Sequence, residues 1–446
     1  MTTATFASPT APLERPAVPP MPDTLADTGL SVELVRDLLL KTLYVQGVRT
    51  GHELAEAVAL PFALVDDELL TLQQRRFIEV RGTTGTNRAS YRYEVAGEGR
   101  DRARGALESS QYVGPAPVPL AQYTASIVAQ SVVHTRYNPA AMRTGFAHMV
   151  LDDEVLDALG PAINSAKSLF LYGHPGNGKS AIADAIASML GGVLYVPYAV
   201  EVDGQIMVVH DPVYHRPIEG AGDSALGMED LWLHQGDGHD RRYAKVRRPI
   251  VLTGGELTLD QLDLRYDPHA KLYQAPFQAK ANGGVLIIDD FGRQRVPPRD
   301  LLNRWIVPLE KRVDFLTLHT GGKFPLPFDC LLIFATNLEP KELVEEAFLR
   351  RIHYKLHIGD PRRDQYDEIF RRCCAAAGLT YVPAAVDHVY EEYYGRRGIP
   401  ARNCHPRDLV AHLMDIAKYL EEPPALRRDL LDRACVSYFL DPTRTH

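Results

Sequence analysis

The sequence predicts an α/β protein built on a parallel sheet, and three stretches carry that prediction. Residues 168–172 (SLFLY), 283–290 (GGVLIIDD) and 330–337 (CLLIFATN) contain apolar runs of strand length that end in glycine or polar residues. Such runs suit strands buried on both faces that deliver their chemistry at the C-terminal end. The first leads into Gly173-His174-Pro175-Gly176-Asn177-Gly178-Lys179-Ser180, which fits G-x-x-x-x-G-K-[ST] at every position. Ile182, Ile186, Met189 and Leu190 then keep helical spacing. Strand, glycine-rich loop and helix, in that order, form a phosphate-binding unit.

The glycines let successive backbone N–H groups approach one point, because no Cβ intervenes. Those donors, the helix N-terminus and Lys179 converge on phosphate. Ser180 is expected to offer its hydroxyl to a magnesium ion bridging the outer phosphates.

Composition bounds the rest. With 446 residues, 45% hydrophobic and 24% charged, the chain has length for two to four domains of ordinary soluble character. A net charge of -8 and a pI near 6.1 exclude a global basic field for nucleic acid or anionic lipid. The five cysteines form no C-x-x-C pair, no apolar run reaches membrane-span length, and the N-terminus lacks a signal-peptide core. A cytoplasmic setting is the expectation.

In chain order, residues 1–28 are rich in Pro, Ala and Thr without periodicity and read as a disordered tail. Residues 29–110 resemble a winged helix: three short helices, a hairpin (FIEVRG, ASYRYEVA) around the polar turn TTGTN, and a closing helix. Arg75, Arg76, Arg81, Arg88 and Arg92 crowd the hairpin, as DNA contact would need. The third helix instead carries Asp66, Asp67 and Glu68, which phosphates repel, so protein contact is favoured over DNA. Residues 111–145 read as a linker. An approach strand and a helix follow before the phosphate loop, with Met149 and Val150 between them.

Residues 191–280 read as an insertion, with VLYVPYAVEV and QIMVVHDPVYH as strands about an Asp203-Gly204 hairpin turn, a short helix over EDLWLHQ and a strand over YAKVRRPIVLT. Asp289 and Asp290 end the second buried strand; Asp289 is expected to hold magnesium and Asp290 to orient an attacking water. PRDLLNRWIVPLEK reads as one helix, and a hairpin turning at Gly321-Gly322 precedes the third buried strand. That strand puts Asn337 beside the γ-phosphate. Arg350 and Arg351 end a helix before the last strand, and residues 361–446 read as a helical lid whose third helix opens with Arg407.

The phosphate loop, Asp289-Asp290, Asn337, Arg350-Arg351 and Arg407 occur in the order and approximate spacing of the AAA+ ATPases, which the stretch 146–440 resembles. The fold so implied is a P-loop AAA+ parallel sheet over 146–360 with a C-terminal helical lid. The hairpin before the third buried strand is similar to the branch holding MoxR-type and enhancer-binding ATPases. That resemblance implies Walker A at Lys179 and Ser180, Walker B at Asp289 and Asp290, sensor 1 at Asn337 and sensor 2 at Arg407. It also implies an arginine finger at Arg351, with Arg350 close behind, acting on a neighbour's nucleotide. ATP with Mg2+, a ring of self-copies (a hexamer) and remodelling of a protein partner are the expectations. DNA tethering through the wing and a slow ATP-dependent assembly switch are the alternatives. Asp290 departs from the family, which more often carries Glu there.

Overall fold

The computed structural model of the chain describes residues 17–218, 238–340 and 349–439. Ser31 caps α1 (Val32–Gln46) by accepting from Leu34 N–H. A two-residue strand, β1 (Arg49–Thr50), leads into α2 (Gly51–Ala57), where Thr50 and Glu53 form a reciprocal capping box. Then come α3 (Phe62–Gln74), the hairpin strands β2 (Ile78–Thr83) and β3 (Tyr91–Val95), and α4 (Gly97–Ser109), which packs on α1. The sheet order is β1-β3-β2. Val35, Leu39, Leu54, Val65, Leu69 and Tyr93 share one core, which continues into Ala199 and Ile206. This unit is therefore docked on the segment 191–280.

Two features of that unit differ from expectation. Glu68 is buried and paired with Arg36 at 2.6 Å, so it is not presented to a partner. Two of the five arginines there also have counter-charges of their own: Arg81 lies against Glu79 and Glu94, and Arg88 against Asp66.

Residues 17–28 are not the disordered tail expected of them. Pro20 bridges to His239, Asp240 N–H donates to Pro19 O at 2.9 Å, and Gln122 holds Asp27 O at 2.8 Å. Residues 1–16 lie outside the described residues. The expected linker holds β4 (Val118–Pro119), α5 (Leu120–Ala129) and α6 (Pro139–Gly145), with Tyr123 and Ile127 in a core. Pro119 and Pro139 sit at the starts of α5 and α6, where a missing N–H costs nothing. No approach strand follows: 146–152 runs as turns, with Met149 N–H bonded to Phe146 O, into α7 (Asp153–Ser165).

After β5 (Leu169–Tyr172) and α8 (Lys179–Met189), the apolar run from 193 splits in two. Pro197 lacks a ladder donor, so β6 (Val193–Pro197) ends there and β7 (Ala199–Val202) joins another sheet. Asp203 (φ 48°) and Gly204 (φ 76°) turn β7 into β8 (Gln205–Val208), as Asp-Gly predicts. The expected helix over EDLWLHQ lies outside the described residues. The single strand read over YAKVRRPIVLT is also two, β9 (Tyr243–Arg247) antiparallel to β6, and β10 (Ile250–Thr253). Next are β11 (Arg265–Asp267), β12 (Leu272–Gln274) and α9 (Phe277–Lys280), and a second sheet forms in the order β11-β12-β8-β7-β4.

His215 anchors this segment. Its Nδ1 accepts from Asp211 N–H at 2.8 Å and its Nε2 donates to Lys280 O at 2.9 Å. Burial holds its pKa down at about 4, although the bond to Lys280 O works against that shift. A depressed histidine pKa favours the folded state fully above the unfolded value of about 6.5, and that advantage is lost as pH falls toward the folded value. Between pH 7 and pH 5 the loss from His215 is expected to be about 2 kcal/mol. Urea melts at both pH values should show it, and His215→Gln should flatten the difference.

β13 (Val285–Ile288) is followed by α10 (Pro298–Arg304) and α11 (Ile306–Lys311), two helices broken at the buried Trp305 where one was expected. The hairpin β14 (Val313–Thr317) and β15 (Lys323–Pro327) turns over 318–322 and buries Leu316, Phe324 and Leu326 against β6 and β7. With β16 (Leu331–Thr336) and β17 (Tyr354–His357), the central sheet runs β10-β13-β16-β5-β17, all parallel. Thus β10, assigned from sequence to the insertion, is the edge strand of the main sheet.

The C-terminal part is helical: α12 (Arg363–Ala376), α13 (Pro383–Val389) running into a π-helical turn (Tyr390–Arg396), α14 (His405–Tyr419) and α15 (Arg428–Tyr438). Their inward faces, among them Phe370, Val386, Leu409, Leu413 and Leu430, make a separate core.

Candidate functional site

β5 and β16 are neighbours although some 160 residues separate them in the chain, and their C-terminal ends open on one cleft of about 600 Å³. The phosphate loop leaves β5 with Gly173 at φ 137°, where a Cβ would lie 2.3 Å from Ile358 O. Gly176, at φ 84°, admits Cys404 Sγ in the same way. Lys179 is 7% exposed, and its ammonium donates to Gly173 O (2.9 Å), His174 O (2.8 Å) and Asn337 Oδ1 (2.7 Å). Burial lowers its pKa and Asp289 and Asp290 work against that shift. The N–H groups of Gly176, Asn177, Gly178, Lys179 and Ser180 meet no acceptor among the described residues. Five adjacent donors without partners make a cradle suited to an anion.

Ser180 Oγ lies 2.8 Å from Asp289 Oδ2. Among the described residues no three His, Cys, Asp or Glu side chains gather as a metal cluster. One hydroxyl and one carboxylate form the sparse protein donor set that suits magnesium held jointly with phosphate oxygens. Asp290, the next residue, stands at φ 48°, a left-handed conformation that a non-glycine residue adopts at a cost. Gln294 holds it there: its amide donates to Asp289 O (2.9 Å) and Asp290 O (3.2 Å) and accepts from Gly292 N–H (2.8 Å). Phe291 N–H donates to Ala335 O and Thr336 Oγ1 to Phe291 O, tying this corner to β16. Asn337 Nδ2 reaches Asp290 Oδ1 at 3.3 Å, so one amide links Lys179 to Asp290.

Of the residues singled out in the sequence, Pro175 through Ser180, Asp289, Asp290, Asn337 and Arg407 line the cleft. Gly173 and His174 stand at its edge as acceptors for Lys179. The far wall is His148, Met149, Val150, Leu151, Ile369 and Cys373, and Arg372 of α12 steadies it by donating to Ala147 O (2.8 Å) and Met149 O (3.3 Å). Arg407 faces the cleft from α14 with its side chain 75% exposed and bonded to Asp408 at 2.9 Å. Arg350 and Arg351 do not line it. They precede β17, which lies beside β5, and so stand at the N-terminal end of the parallel strands, the end away from the phosphate loop; there Arg351 Nε pairs with Glu310 at 2.7 Å and Arg350 is exposed. The four residues of β17 alone span about 13 Å.

Gln294, Asp360, Arg402, Asn403 and Cys404 were not singled out by their sequence. Asp360 Oδ1 accepts from Asn177 Nδ2 at 2.7 Å and from Arg402. Burial opposes its charge, but those bonds prevail and its pKa is lowered. Only the position of Asp360, just past an apolar strand end, could have drawn notice.

Residues 362–437 match the family described as a domain of unknown function (DUF8689). No curated protein matches the chain. Similar solved structures include the RuvB Holliday junction branch migration motor of Thermotoga maritima, 15% identical over 65% of this chain and 70% of that one, with a TM-score of 0.37. NtrX of Brucella abortus in complex with ATP is 14% identical over 69% of this chain and 58% of that one, with a TM-score of 0.36.

Proposed function

We propose that the chain is an ATPase of the AAA+ kind that works as a ring and remodels a protein partner. The observation that carries this reading is the convergence of Lys179, Ser180, Asp289, Asp290 and Asn337 from the ends of β5, β13 and β16 onto one cleft beside five unpartnered N–H groups. The loop donors and Lys179 bind the phosphates, and Met149, Val150 and Ile369 give the base an apolar wall. Ser180 and Asp289 would hold Mg2+, which neutralises charge on the transferring phosphate. Asp290 accepts the proton-bearing side of the attacking water, and Asn337 fixes the carboxylate that does so. Arg407 reports the phosphates to the lid.

A ring is supported by the placement of Arg350 and Arg351. An arginine at the N-terminal end of the strands, a strand length from the cleft at their C-terminal ends, cannot serve its own cleft but can serve that of a neighbour. Protein remodelling is favoured over DNA tethering because Arg81 and Arg88 are already neutralised by Glu79, Glu94 and Asp66. Among the described residues no helix is long and apolar enough to cross a membrane.

Phosphate release by purified protein, with Asp290→Asn alongside, tests the activity. The variant is expected to bind ATP and to turn over about a hundredfold more slowly, within the range for a lost general base. Equal turnover removes Asp290 from the mechanism. A wild type that binds ATP without measurable release supports the assembly switch instead.

A further inference from the structure

The lid meets the phosphate loop at the rim of the cleft, through Asn403 and Cys404, which line it too. Cys404 N–H donates to Gly176 O at 2.9 Å, and Asn403 Nδ2 donates to Asn177 O at 3.0 Å. Asn403 N–H also reaches Asn177 Oδ1 at 3.5 Å, while Asn177 Nδ2 is held by Asp360, the same carboxylate that pairs with Arg402. In a planar trans peptide the C=O of one residue and the N–H of the next point in opposite directions. Holding the carbonyls of 176 and 177 toward the lid turn therefore fixes the N–H groups of 177 and 178 in the direction away from it.

The turn that does this is itself rigidly seated. His405 Nδ1 accepts from Arg402 N–H at 3.3 Å and from the buried Tyr394 hydroxyl at 3.0 Å, and Tyr394 in turn meets Tyr366 of α12 at 2.8 Å. Tyr394 lies in the π-helical turn, a rare element that proteins keep mostly at functional sites.

We propose that the Arg402–Cys404 turn of the lid braces the phosphate loop from its carbonyl side, with Asn403 as a positioning residue for phosphate binding. This assigns a role to the segment matched only as a domain of unknown function, and it rests on the nucleotide reading of the cleft. Withdrawing the turn, as when the lid swings, frees two peptide units to rotate and weakens the hold on phosphate. Lid movement and product release are then one event at two places.

The test is competition of a fluorescent ADP analogue by ADP and by adenosine, with magnesium, on wild type, Asn403→Ala, Asn403→Leu and Lys179→Ala. Both Asn403 variants are expected to bind ADP about tenfold more weakly, the worth of one lost hydrogen bond to a positioned group. Adenosine, which lacks phosphate, should compete as it does with wild type. Asn403→Leu keeps the size, removes the donor and adds no charge that phosphate would repel, so it decides the matter where the alanine variant fails to fold. If wild type binds the analogue and Asn403→Leu binds ADP equally well, the brace is wrong. An equal loss for adenosine also overturns it, since that reports general damage. If wild type binds no analogue, the nucleotide reading falls first.

Discussion

Lys179→Ala is expected to weaken nucleotide binding by about a hundredfold, the worth of a charge-assisted bond between a buried ammonium and phosphate. The loss has a second source. Lys179 ties the carbonyls of Gly173 and His174 to Asn337, so its removal also releases the loop's first turn and the amide that steadies Asp290. The wild type at a ligand concentration one hundred times Kd should gain about 2.7 kcal/mol of stability from ATP, and the variant almost none. Calorimetric titration and thermal shifts with and without ATP read both effects. Binding at wild-type strength would remove the phosphate-loop reading altogether.

The second large effect is expected at Arg351. Its alanine variant should bind ATP normally and hydrolyse it on the order of a thousandfold more slowly, as when an arginine finger is lost. The structure adds a condition: to reach a neighbour's phosphate, Arg351 must leave Glu310, whose side chain is about half exposed, so that this ion pair is of modest strength. Mixing Arg351→Ala with Lys179→Ala subunits should restore part of the activity, because each supplies the half-site that the other lacks. Absence of rescue would point to Arg350 or to a site completed within one chain.

How much of this was legible before the structure depends on sequence separation. The phosphate loop was readable because every part of it is contiguous: strand, glycines, lysine and helix follow one another, and local conformation brings the donors together. Asp289 and Asp290 were readable for a related reason, since a four-residue apolar strand ending in two carboxylates has one sensible place in a parallel sheet. The split of the run from 193 was signalled by Pro197 and passed over. That β10 belongs to the central sheet was not signalled, because Ile250–Thr253 is as short and apolar as the insertion strands around it.

By itself, then, the sequence determined the phosphate loop, the acidic strand end, Asn337 and the helical C-terminus, since each is set by neighbours within a few residues. Only the tertiary structure decided that Glu68 turns inward, that Arg81 and Arg88 are already paired, and that Arg351 faces away from its own cleft. Likewise Gln294 shapes the corner at Asp290 and Asn403 meets the loop some 226 residues earlier in the chain. Those facts depend on which way a side chain points and on what distant backbone it meets. Composition and periodicity say which residues are buried, but a hydrogen bond to a far carbonyl leaves no period in the sequence.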